Sequence, residues 1–175
     1  MKFIDTHTHL FASEFKDDID IVVKNAINSG VSKMLLPNID SSTTNNMLQL
    51  CNKYPQHCFP MIGLHPCSVK KDNIDKEILH VEEMLNKNKF IAIGEIGLDL
   101  YWDKSTLSYQ KVAFESQIKL AKKYQLPIVI HVRDSFSEAI EIVEKLNNEN
   151  LSGVFHCFTG NIQEAERIIN LQNFY

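Results

Sequence analysis

Long hydrophobic runs are missing from this chain. No apolar stretch in its 175 residues approaches the roughly 18 that a membrane span needs, so no membrane association is expected. The N-terminus has no basic region, apolar core and small-residue cleavage site in series, so no secretory leader is expected. Paired cysteine spacing is missing too: Cys51, Cys58, Cys67 and Cys157 never stand at C-x-x-C separation. Without an export signal, reduced thiols and a cytoplasmic location are the expectation. Arginine is scarce, limited to Arg133 and Arg167, and the net charge is −4. That argues against a protein that coats nucleic acid through a broad basic surface. It does not exclude an enzyme that takes a few phosphates into a metal site, where the cations supply the positive charge. No Gly-x-Gly-x-x-Gly follows a strand, which weakens a nucleotide-binding reading. No low-complexity linker interrupts the chain, so residues 1–175 read as one domain, long enough for a sizeable core.

What is there alternates. Phe3–Thr6 is strand-like, then Ile19, Val22, Val23, Ala26 and Ile27 recur at helical spacing before Gly30, a C-terminal cap. Lys33–Pro37 reads as a second strand, and Ser41 or Ser42 can cap the helix of Met47, Leu48 and Cys51. Cys58–Leu64 is a third strand and Ile74–Leu85 a helix. Phe90–Ile96 is a fourth strand, and Leu107–Ala121 a long helix. Pro127–Val132 is a fifth strand, followed by a helix opened by the capping box Ser135-x-x-Glu138. Gly153–Phe155 is a sixth, and Asn161 caps the helix of Ile162, Ala165, Ile168 and Ile169. Strand then helix, six times, implies an α/β fold with a parallel sheet covered by helices. Doubly wound sheets and (β/α)8 TIM-type barrels both fit the alternation. The polar residues decide between them. His7 and His9, His65, Glu95, His131 and His156 fall at or after strand ends, which a barrel gathers at one mouth and an open sheet spreads along an edge.

Four histidines and a glutamate at one mouth form a metal site by ligand type. His7 and His9 share a face if their stretch is a strand, with Asp5 behind them. They would hold one cation, and His131 and His156 a second, with the two oxygens of Glu95 bridging. Each histidine alone is more often an ordinary polar residue. The joint pattern is what chance does not supply, in a chain with seven histidines. His57 and His80 lie before a strand and within a helix, and both read as structural.

Five boxes, Asp5-Thr6-His7-Thr8-His9, Gly63-Leu64-His65-Pro66, Gly94-Glu95-Ile96-Gly97-Leu98-Asp99, His131-Val132-Arg133-Asp134 and His156-Cys157-Phe158-Thr159-Gly160, resemble in order those of the TatD-type deoxyribonucleases. These are metal-dependent hydrolases of the amidohydrolase-like barrels. The resemblance implies a barrel, divalent cations, two per chain (zinc, manganese or magnesium), and hydrolysis of DNA phosphodiesters. Carried over residue by residue, it makes His7, His9, Glu95, His131 and His156 the metal ligands. The family continues through two more strand-helix units and takes a further ligand, an aspartate, after the eighth strand. Here the chain stops at Asn173-Phe174-Tyr175, where the seventh strand is due, so an incomplete barrel of six units is expected.

The other residues divide between function and structure. His65 is placed for substrate contact or proton transfer, or else for a Leu-His-Pro turn. Arg133 offers a forked donor suited to phosphate, against a surface ion pair. Asp99 can orient a ligand, and Tyr101 can stack on a base or pack on a helix. Cys157 reads as a buried thiol. DNA is the expected partner, and no protein partner is inferable. The competing functions are a related deacylase or phosphoesterase acting on a small molecule or aminoacyl ester, and a fragment that binds without turnover. Amidohydrolases often bridge their metals with a modified lysine on the fourth strand. Glu95 holds that place here, which favours the nuclease branch.

Overall fold

The computed structural model describes residues 1–175 as strands alternating with helices. In chain order these are β1 (Phe3–Asp5), α1 (Ile19–Asn28), β2 (Val31–Leu36), α2 (Ser41–Lys53), β3 (Cys58–Pro60), α3 (Ile74–Lys87), β4 (Ile93–Asp99), α4 (Leu107–Tyr124), β5 (Ile128–Arg133), α5 (Phe136–Leu146), β6 (Gly153–His156) and α6 (Ile162–Asn170). Every strand pair is parallel, in the orders β1-β2-β3 and β4-β5-β6. One parallel bridge, Ile62 to Ile93, joins the triplets. It is carried by Ile62 N–H on the Ala92 carbonyl and Gly94 N–H on the Ile62 carbonyl. Six strands thus follow one another in sequence order, as in a (β/α)8 barrel. β1 and β6 do not pair, so the barrel is incomplete and unclosed.

The apolar pattern accounts for this arrangement. β4 is buried along its whole length, as a central parallel strand with cover on both faces must be. Phe114, Ile118 and Ala121 of α4 and Ala139, Ile140 and Val143 of α5 join Ile96, Leu98 and Ile130 in the main core. A second cluster of Met61, Ala92 and Val129, with Leu35, sits apart from it. Val129 lies two residues before His131 on β5, so it shares that histidine's face one step deeper in the barrel. The edges are less well covered. Phe3 and Ile4 of β1 are about half exposed, and of the α6 isoleucines only Ile168 is buried. The edge of β6 is partly occupied: Phe174 bridges Gly153, and Phe155 N–H donates to the Tyr175 carbonyl at 2.8 Å.

Several local expectations hold, and several do not. Gly30 ends α1 at φ 96°, and Asn161 caps α6 with Glu164 answering as a capping box. At α2, Asp40 and not a serine is the cap, paired with Thr43, because its carboxylate reaches the Ser42 N–H at 3.0 Å. Ser135 makes no capping bond. Its hydroxyl instead donates to the Leu98 and Arg133 carbonyls, both at 3.0 Å, and ties β4 to β5. β3 stops at Pro60, short of the expected Leu64, and β4 runs on to Asp99. Cys157 lies past β6 with φ 48° and is exposed, so it is not a buried thiol.

Candidate metal centre

β1 ends at Asp5, so His7 and His9 stand on the loop beyond the strand and not within it. The loop is fixed by Thr8 N–H donating to the Leu35 carbonyl of β2 at 3.1 Å. His7 N–H donates to the Asp5 carboxylate at 3.2 Å, so Asp5 shapes the backbone and does not orient an imidazole. The two rings still meet, with centroids 5.1 Å apart.

Glu95 is the third residue of β4, inside the strand. Asn38, fully buried after β2, brackets its peptide: Asn38 N–H donates to the Gly94 carbonyl at 3.0 Å, and Glu95 N–H donates to the Asn38 carbonyl at 3.2 Å. His131 of β5 is brought alongside by Gly97. With φ 141°, a Cβ at that position would lie 2.0 Å from the His131 carbonyl oxygen, so only glycine allows the approach.

The side chains converge on Glu95, which is 2% exposed. Its Oε2 lies 3.1 Å from His7 Nε2, 3.6 Å from His9 Nε2 and 3.8 Å from His65 Nε2, and its Oε1 lies 3.2 Å from His131 Nδ1. Two sets could each hold a cation: His7, His9 and Glu95, and His65, Glu95 and His131. His156 stands outside both sets. It stacks on His7 with centroids 3.5 Å apart and planes within 8°, which brings the ends of β1 and β6 together although the strands do not pair.

Electrostatics separates the imidazoles. Burial would raise the Glu95 carboxyl, but hydrogen bonds with His131, His7 and His9 and the nearby His65 hold it well below the usual carboxylate range. Burial alone would lower His131. Its bonds to Glu95 and, through Nε2 at 2.8 Å, to Asp99 outweigh that and raise it. Burial lowers His65 to about 4, so it is neutral at neutral pH, and burial with His7 alongside lowers His156. The His65 tautomer is set by its neighbours: Cys67 N–H donates to Nδ1 at 3.1 Å, so the ring proton sits on Nε2, facing the mouth. That makes His65 a donor rather than a ligand in this tautomer and leaves Glu95 and His131 as the lone-pair donors of the second set. His131 has the opposite disposition, because Asp99 accepts at Nε2 and leaves Nδ1 toward Glu95.

The donor set fits a divalent cation. The Nδ1 atoms of His7 and His9 are buried with no protein partner, a rare condition for ring nitrogens. Imidazoles around one carboxylate suit zinc or manganese better than magnesium. Arg133 is at the rim and outside this network. Its guanidinium lies 3.5 Å from the ring centroid of the half-exposed Tyr101 and pairs with no carboxylate. His57 and His80 bond the Ser32 carbonyl and the Thr44 hydroxyl, away from the mouth.

Sequence reasoning missed the residues that hold this frame. Gln117 of α4 accepts from Leu64 N–H at 2.7 Å and donates to the Leu64 carbonyl at 3.1 Å, fixing the residue before His65. Gln110 does the same for Asp99, at 2.8 and 2.9 Å. The available signal was two glutamines seven apart on the helix stripe that also carries Phe114, Ile118 and Ala121.

Comparison with known proteins identifies the family of the chain. The family model described as TatD related DNase matches residues 4–175. The chain is 34% identical over 171 residues to the uncharacterized metal-dependent hydrolase YabD of Bacillus subtilis, covering 98% of this chain and 66% of that protein. It is 31% identical to the 3'-5' ssDNA/RNA exonuclease TatD of Pectobacterium carotovorum, covering 94% and 63%. The crystal structure of YjjV, a TatD homolog from Escherichia coli, superposes with a TM-score of 0.89 at 30% identity, over 98% of this chain and 66% of that one. The chain therefore spans just under two thirds of the length of the relatives it matches. It belongs to the TatD-related DNase family of metal-dependent hydrolases.

Proposed function

We propose that this TatD-family chain carries the metal-binding part of a hydrolase that cleaves DNA phosphodiester bonds. The observation that carries the reading is Glu95: one buried carboxylate whose Oε2 faces His7 and His9 while Oε1 faces His131. A carboxylate so placed is built to be shared between two cations. His7, His9 and Glu95 would hold one. Glu95 and His131 would hold the other, with His156, implied by the resemblance, completing the set. Bound there, divalent cations would activate water and neutralise charge on a phosphate.

The chain's own residues do the rest. Asp99 accepts from His131 Nε2 and so turns Nδ1 of that ring toward Glu95. His65, neutral and with its proton on Nε2, presents a donor into the mouth that can bind a phosphate oxygen. Asn38 and Gly97 keep Glu95 and His131 in register. The names of relatives such as the Pectobacterium exonuclease support a nucleic-acid substrate.

The test is degradation of an end-labelled oligonucleotide, with chelator and with zinc, manganese or magnesium added back. Loss with chelator and recovery on add-back is the expected result. Degradation indifferent to chelator, or hydrolysis of aminoacyl esters with no action on the oligonucleotide, would overturn the proposal.

A further inference from the structure

Arg133, Tyr101 and Trp102 are not used by the site described above, although they are anchored to it. Tyr101 N–H donates to Asp99 Oδ1 at 3.0 Å, and the other oxygen of that carboxylate bonds His131. Leu100 N–H donates to the Arg133 carbonyl at 2.9 Å, so β4 and β5 deliver both segments together. At the rim, Trp102 is 74% exposed and Tyr101 52% exposed, unlike the aromatics of the core. Their rings are perpendicular with centroids 4.8 Å apart. The Arg133 guanidinium carbon is 3.5 Å from the Tyr101 centroid and 5.9 Å from that of Trp102. The other arginine, Arg167, is spent on Glu144 through two hydrogen bonds. Arg133 pairs with no carboxylate and is positioned by aromatic faces, so its N–H fork stays unused. A hollow of about 170 Å³ joins Asp99 to Trp102 and is also lined by Lys70.

We propose that Trp102, Tyr101 and Arg133 form a base-stacking subsite beside the metal mouth, taking an unpaired nucleobase on Trp102 and the adjoining phosphate on Arg133. This rests on the nucleic-acid reading and deepens it. Stacking on an aromatic face needs an unpaired base and tolerates any base. A small ester would gain nothing from it. With a net charge of −4, this chain gains no overall electrostatic attraction for a polyanionic strand. The subsite supplies the attachment locally.

Trp102 is the chain's only tryptophan, so its fluorescence reports this site alone. The chain, held in chelator so that nothing is cleaved, is titrated with a short oligothymidylate and with a base-less oligomer of the same length. A saturable quench by the first and none by the second is expected. In parallel, binding of a dye-labelled oligothymidylate is followed by anisotropy. Trp102→Leu should weaken it about tenfold, which is about 1.4 kcal/mol, while Trp102→Phe, which keeps a stacking face, should restore most of the affinity. Arg133→Ala should weaken it by a similar factor and reduce its salt dependence. Equal quenching by the base-less oligomer, or wild-type affinity in Trp102→Leu, would overturn the subsite. Metal-dependent degradation without any quench would sink the subsite and spare the nuclease reading. Quench without metal-dependent degradation would do the reverse.

Discussion

Glu95→Gln tests the sharing of one carboxylate most directly. The change keeps the shape of the side chain and removes its charge, in a position 2% exposed and bonded by imidazoles at 3.1 and 3.2 Å. Because Glu95 belongs to both candidate sets, each loses one of its donors at a single stroke. Disturbing a group that merely orients a ligand costs about 10–100-fold in metal affinity. Loss of the shared ligand should therefore cost at least about 100-fold for each cation, or about 2.7 kcal/mol. His9→Gln makes the contrast, since His9 belongs to one set only. The metal-free fold should survive Glu95→Gln, at a cost of about 1–3 kcal/mol for a buried charged hydrogen-bond partner replaced by a neutral one. Equilibrium dialysis with elemental analysis gives metals bound per chain, and circular dichroism gives the melting of the same samples. Glu95→Gln should bind none at concentrations that saturate the wild type, and His9→Gln should retain one. A Glu95→Gln protein that holds one cation at wild-type affinity would refute the sharing, and one that holds two would refute any role for Glu95 as a ligand.

Other outcomes follow from particular contacts. Gly97→Ala should destabilise by about 3 kcal/mol or more and lower metal content, because the new Cβ falls 2.0 Å from the His131 carbonyl oxygen at a left-handed φ; a wild-type melting temperature would contradict this. Gln117→Ala should cost about 2–4 kcal/mol in urea unfolding, since it strands both the N–H and the carbonyl of buried Leu64. His65 is held at about 4 when folded, against an ordinary 6.5. Between those values the unfolded chain takes up a proton that the folded chain refuses, so its contribution to stability falls on acidification. At pH 5 the metal-free protein should have lost about 2 kcal/mol from this group, and His65→Gln should lose that much less between pH 7.5 and 5; equal losses would refute the assignment. Burial pushes the Cys51 and Cys58 thiols up to about 12 and 11. Iodoacetamide at pH 8 should leave both unlabelled while the exposed Cys157 reacts; peptide mass spectrometry that finds the label on Cys51 in folded protein would be the contrary result.

The alternation of strand and helix was legible because it depends on period. Ile96, Leu98 and Ile130 are apolar for the same reason that they are buried, and the parallel order of β1 to β6 follows from helices between the strands. Boundaries were less so. The approach of His7 and His9 was reasoned from strand alternation, yet the strand ends at Asp5 and a loop bond from Thr8 to Leu35 keeps the rings together. Local patterns also misled where tertiary contacts competed for the same atoms. The Ser135 hydroxyl had a capping role open to it at the start of α5, and the Leu98 and Arg133 carbonyls took it instead.

The residues that escaped sequence reasoning share one physical feature: their polar groups are paired with backbone far away in the chain. Gln117 serves Leu64 and Gln110 serves Asp99, and Asn38 reaches the Gly94–Glu95 peptide through its own backbone. Nothing local marks such a residue, because a glutamine on an apolar stripe looks like a break in the period. The cost of burying it unpaired turns that into a signal. A glutamine that persists on a core-facing stripe must find both a donor and an acceptor, and the backbone of an irregular loop is where both are free. The loop before His65 and the end of β4 at Asp99 are such places, and they carry the two groups that flank His131. Read this way, polar interruptions of α4 point to the backbone that the metal centre needs held still. The His65 tautomer follows from the same accounting: once the Cys67 N–H occupies Nδ1, only Nε2 is left to carry the proton toward the mouth.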